Sequence, residues 1–197
     1  MKRLIIPALV IFLVSSCQPG HPESKSGNTN ETDSSKKNYL PVADLLRTEI
    51  AAVDSFPLRL MRYQIVNGKT DSGIITTPVF DLLAKEFLMP DLDSSRFEKK
   101  FEENSFVDRS TNLVSFTYST KDTGYGLKRV DVLVSPGAGS NKLSSIYMEA
   151  ISGNKDSTVI SKMSWKAGKN FGIIHIHQPK NGQETTNQTF VVWDSRE

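Results

Sequence analysis

The sequence predicts an α+β domain in which N-terminal helices and a hairpin pack on a largely antiparallel C-terminal β-meander. Three observations lead there. Apolar residues recur at helical spacing in the first part of the chain, the period changes to two from Asn112 onward, and the turns between the period-two segments are too short for crossover helices.

The folded part starts near Tyr39. Val42, Leu46, Ile50 and Val53 make one core-facing stripe, Pro41 suits a first turn and Pro57 lies beyond the last, so the first helix belongs here. Residues 58–66 then alternate, and Asn67-Gly68 is a favoured type I′ pair because both residues tolerate positive φ. The return strand is expected over residues 72–76, with Thr70-Asp71 extending the loop. A second helix follows, with Thr77 as cap and Pro78 at its first position, carrying Val79, Phe80, Leu82, Leu83, Phe87 and Leu88 until Pro90 ends it. Ser95-Arg96-Phe97-Glu98 matches a capping box that opens a short third helix, on which Phe97 and Phe101 meet at i,i+4.

Six strands are expected next, near residues 113–119, 127–135, 142–151, 158–166, 170–178 and 184–193. Turns bearing Gly124, Gly126, Gly137, Gly139, Gly153-Asn154, Gly168 and Asn181-Gly182 separate them. Val114, Phe116 and Tyr118 share one face of their strand, and Val130, Val132 and Val134 one face of the next. Such a sheet buries one face under helices and leaves the other wetter. Trp165, Phe171, Phe190, Val192 and Trp193 supply apolar and aromatic content for a core and for a sheet–helix cleft.

Composition sets the outer limits. In 197 residues, 38% are hydrophobic and 23% charged, with 9 prolines and 12 glycines, which excludes a collagen-like or wholly disordered chain. The single cysteine rules out an internal disulfide and the paired thiolates of a zinc knuckle or iron–sulfur centre.

That cysteine has another use. Lys2 and Arg3 precede an apolar run over residues 4–14, and Leu13-Val14-Ser15-Ser16-Cys17 closes it with small residues. About 11 apolar residues are too few to span a bilayer and suit an export signal. The Leu-x-Ser-Cys ending is similar to a bacterial lipobox, which predicts removal of residues 1–16 and acylation of Cys17. Residues 17–38 contain no strongly apolar side chain after the cysteine and read as a tether to a single domain over 39–197. The absence of Asp immediately after Cys17 points to the outer membrane by the sorting rule of enteric bacteria. Removing Lys2 and Arg3 from the 24 basic residues leaves 22 against 22 acidic ones. A mature charge near zero argues against nucleic acid as a partner.

No catalytic arrangement stands out. His175 and His177 lie two apart on a strand and share a face, as two metal ligands would; the structural alternative leaves both partly exposed, with Ile174 and Ile176 toward the core. Ser152-Gly153-Asn154-Lys155 has Ser-x-x-Lys spacing but reads as a hairpin turn without the companion motifs of penicillin-recognising enzymes. Residues 137–142 are glycine-rich without P-loop spacing and join two strands. Asp91, Asp93, Glu98, Glu102 and Glu103 fit a helix connection and a solvated surface, not an acid/base pair of known separation. No catalytic, metal or cofactor-binding residue is assigned; the one modified site is Cys17.

The lipobox, the polar tether, Tyr39-Leu40-Pro41-Val42-Ala43-Asp44, Val66-Asn67-Gly68-Lys69, Tyr118-Ser119-Thr120-Lys121 and Arg129-Val130-Asp131-Val132 together resemble uncharacterised lipoproteins of Bacteroidetes. The resemblance implies an exported, lipid-anchored protein of a Gram-negative envelope and carries no active residues. The expected function is noncatalytic binding of an envelope protein or assistance in envelope assembly. The alternative is carriage or capture of a lipid, peptide or glycan in a sheet–helix cleft.

Overall fold

The computed structural model describes residues 39–55, 58–92, 94–137 and 141–193. The expected signal segment, Cys17, the tether and Asp93 lie outside the described residues. Helix α1 (Val42–Asp54) buries Val42, Leu46 and Val53, and the fourth stripe residue, Ile50, packs against the same core while partly exposed.

Strands β1 (Leu60–Val66) and β2 (Lys69–Ile75) form a hairpin around Asn67 and Gly68, whose φ angles of +49° and +78° are the two positive values a type I′ turn needs. Thr70 and Asp71 pair with Ile65 and Gln64, so they belong to the return strand and not to the loop. The hairpin does not pack on a separate meander. Its first strand bonds along its other edge to β9 (Thr185–Val192), from Met61–Val192 to Val66–Asn187, and so extends the C-terminal sheet.

Helix α2 (Thr77–Ala84) starts one residue earlier than its sequence signals indicate, with Thr76 as cap and Pro78 in the first turn, and tightens into a 3₁₀ turn over Lys85–Phe87. Phe80, Ala84 and Phe87 enter the core, whereas Val79 and Leu82 face solvent. Helix α3 (Ser94–Lys100) contains Ser95 instead of being capped by it. Phe97 and Phe101 stack at 4.5 Å, and Phe97 also meets the Tyr118 ring at 4.9 Å.

The next element, β3 (Glu102–Asp108), has no counterpart in the sequence reading. It is an edge strand paired only with β4 (Leu113–Ser119), and it exposes Phe106 and Val107 on opposite faces, so no apolar/polar alternation marks it. Strands β5 (Leu127–Ser135), β6 (Lys142–Gly153), β7 (Ser157–Lys166), β8 (Asn170–Pro179) and β9 follow as antiparallel neighbours. The result is one open nine-stranded sheet in the order β2-β1-β9-β8-β7-β6-β5-β4-β3.

One face of this sheet carries the core. Phe116, Val132, Ile146, Trp165, Phe171 and Val191 lie in register across six strands. Phe80 meets Trp165, Phe171 and Trp193 at ring separations of 6.2, 5.6 and 5.5 Å, and Phe87 meets Trp165 and Phe171 at 5.3 and 5.5 Å. Each such side chain contributes about 1.5–3 kcal/mol by leaving water, and ring pairs in these geometries add about 0.5–1.5 kcal/mol. These rings fill the space between α2 and the central strands. Phe190 and Val192 flank Val191 in β9 and therefore take the opposite face.

Candidate functional site

The opposite face is covered by no described helix, and its side chains run in rows across the strands. One row reads Thr117, Asp131, Tyr147, Ser164, Gly172, Phe190 and Tyr63, each in register with the next. A second, parallel to it, reads Ser115, Leu133, Ser145, Lys166 and Asn170. Toward the β6–β7 turn lie Ile151, Ile160 and Ile176, again in register. The face is therefore a mosaic: hydroxyl-rich over β4 to β7, apolar over β7, β8, β9 and β1.

Local geometry shapes the hydroxyl-rich part. Leu133 pairs with Ser145 and Val134 with Leu143, leaving Ser144 as an extra residue in β6, and the Ser144 carbonyl accepts the Ala167 amide at 3.0 Å. Such a bulge bends its strand and increases local twist. A cavity of about 490 Å³ opens beside it, lined by Ser115, Asp131, Ser145, Tyr147, Ser164 and Lys166 among others. Asp131 is held from two sides: Thr117 Oγ1 donates to Oδ1 and Arg129 Nε to Oδ2, each at 2.8 Å. The Tyr147 hydroxyl donates to Glu149 Oε2 at 3.2 Å, and burial, with Glu149 nearby, raises its pKa. On the far side, the Phe190 ring lies over Gly172. A β-carbon on Gly172 would come within 2.9 Å of the ring and 3.2 Å of Ser164 Oγ, so only glycine lets the ring lie this low.

The two histidines are separated by their surroundings. Both share the face of Phe171 and Ile173, the core residues of β8, so Ile174 and Ile176 point to the uncovered face and not to the core. His175 sits at the margin of the helical layer, its Nδ1 2.9 Å from Ser161 Oγ and its Nε2 3.0 Å from Glu86 Oε2 in the 3₁₀ turn after α2. The Glu86 hydrogen bond raises the imidazole pKa above its ordinary value, against burial, which lowers it. His177, two residues on, is exposed.

Serine, histidine and glutamate in one chain of contacts invite comparison with a nucleophilic triad. Here the hydroxyl is on Nδ1 and the carboxylate on Nε2, and Ser161 sits mid-strand, in register with Ala150 of β6 and His175 of β8. The cluster ties the 3₁₀ turn after α2 to the sheet. Among the described residues no three His, Cys, Asp or Glu side chains are grouped to hold a metal.

Two further candidates resolve as structure, and the glycine-rich stretch lies partly outside the described residues, at 138–140. Asn154 Oδ1 accepts the amides of Asp156 and Ser157, which makes the Ser152–Lys155 stretch a hairpin turn. Asp91 Oδ2 accepts the Leu127 amide at 3.0 Å and anchors the start of β5. Sequence reading missed one carboxylate pair: Asp54 at the end of α1 faces Asp81 of α2, and burial, then the charge and hydrogen bond of Asp81, raises the Asp54 pKa. The pair is 27 residues apart in sequence, and nothing local marks it. Comparison with protein-family models, curated proteins and solved structures gives no match. Among the described residues no helix is long and apolar enough to cross a membrane.

Proposed function

We propose that this chain is a noncatalytic cell-envelope lipoprotein, anchored through Cys17, whose domain binds a protein partner through the uncovered face of its sheet. The observation that supports this reading is the apolar end of that face. Tyr63 and Ile151 are exposed there, Ile65, Ile160, Ile174 and Ile176 are only partly buried, and Lys162, Glu149 and Gln188 lie among them. An apolar patch with polar neighbours is the usual anatomy of a protein interface. A lipid anchor with a polar tether holds even a weak partner at high effective concentration.

Photo-crosslinking residues placed at Tyr63 or Ile176 in intact envelopes test the interface. A discrete adduct from both positions, absent when the crosslinker replaces Arg47 on α1, is the expected result. Adducts of equal yield from all three positions, or none from Tyr63 and Ile176, overturn it. Intact mass of the membrane-extracted chain tests the anchor: it should lack residues 1–16 and carry acyl groups on Cys17.

A further inference from the structure

We propose that the cavity beside the β6 bulge is a glycan-binding slot, separate from the protein-binding patch. Ser164 of β7 lies at its base, and Tyr147 of β6 is its aromatic wall on this face, beside Asp131, Ser145 and Lys166. The cavity volume, about 490 Å³, is that of a small-ligand site.

The polar groups select the ligand class. Both oxygens of Asp131 already accept one hydrogen bond each, from Thr117 and Arg129, which orients the carboxylate and leaves a lone pair on each oxygen for an incoming hydroxyl. Ser115, Ser145 and Ser164 both donate and accept, Asn170 presents an amide, and Lys166 donates. A sugar hydroxyl, donor and acceptor at once, can be satisfied repeatedly in such a setting, and the C–H face of the ring packs on the Tyr147 ring. An acyl chain would strand these polar groups without partners. A phosphate or polyanion would meet the Asp131 carboxylate, which already engages the Arg129 guanidinium, and among the lining residues only Lys166 would offset the repulsion. The bulge at Ser144 supplies the concavity that a flat sheet lacks.

Isothermal titration of the full-length chain with maltotetraose, cellotetraose and chitotetraose tests the assignment. At least one should bind with a Kd of about 1 mM or tighter. Ser164→Leu fills the exposed floor without offering a stacking ring, Tyr147→Ala removes the aromatic wall, and Asp131→Asn removes the charge at constant shape. Each should weaken that binding at least tenfold, with the thermal midpoint of S164L unchanged. Failure of all three sugars at about 10 mM, or binding that S164L leaves intact, overturns the proposal. Neither outcome bears on crosslinking from Tyr63 and Ile176, so the two readings fail separately.

Discussion

Replacing Glu86 with glutamine removes the charged partner of His175 and should destabilise the fold in a pH-dependent way. Glu86 Oε2 lies 3.0 Å from His175 Nε2, and this contact, 89 residues apart in sequence, ties the 3₁₀ turn after α2 to β8. Because the contact raises the folded-state pKa of His175 above its ordinary 6.5, its contribution is fully present below about pH 6.5 and is lost as pH rises through the folded value. A hydrogen bond to a charged group contributes about 1.5–3 kcal/mol when well buried. Here the two side chains are 35% and 39% exposed, so solvent screening brings the figure to about 0.5–1 kcal/mol. With a urea dependence of about 2 kcal/mol/M, E86Q should lower the unfolding midpoint by about 0.25–0.5 M near pH 6 and by less than half of that near pH 9. Fluorescence of Trp165 and Trp193, both buried in the core, reports the transition. A double-mutant cycle with His175→Gln isolates the pair from other effects of either change. A coupling energy as large at pH 9 as at pH 6, or none at either, refutes the ion-pair account.

Two further outcomes probe the two faces of the sheet. Phe87→Ala deletes a fully buried ring wedged against Trp165 and Phe171 and should cost about 3–5 kcal/mol, lowering the thermal midpoint by about 10 °C, whereas Leu82→Ala on the outward side of α2 should change it by less than about 2 °C. Gly172→Val forces the Phe190 ring off its seat and should cost about 1–3 kcal/mol by calorimetry. Adding Phe190→Ala, which clears the space, should recover part of that loss.

Much of the fold is legible residue by residue because its determinants are local. The α1 stripe, the Asn67-Gly68 turn, the Phe97–Phe101 stack and the alternation of Val130, Val132 and Val134 each follow from backbone periodicity acting within a few residues. The core/solvent alternation of β5 was readable because that strand has neighbours on both sides and a covered face. Strand β3 was not, because at the sheet edge Phe106 and Val107 both meet solvent and the period-two pattern disappears. The parity of β8 differs from the sequence expectation because the alternation of Ile174 and Ile176 with His175 and His177 favours the isoleucines for the core, whereas the buried Phe171 and Ile173 and the contact of His175 with Glu86 put the histidine side under the helices.

The amino-acid sequence thus determined the antiparallel connectivity, the hairpin turns and most of the aromatic core, since each depends on neighbours in the chain. Tertiary structure alone decided that β1 joins β9, that Glu86 reaches His175, that Asp54 faces Asp81, and that Asp131, Tyr147 and Ser164 line one cavity. Those contacts join residues far apart in sequence and arise only once the whole sheet sets strand order and register. A one-residue shift in any strand would send its side chains to the other face and dismantle both the core row and the slot.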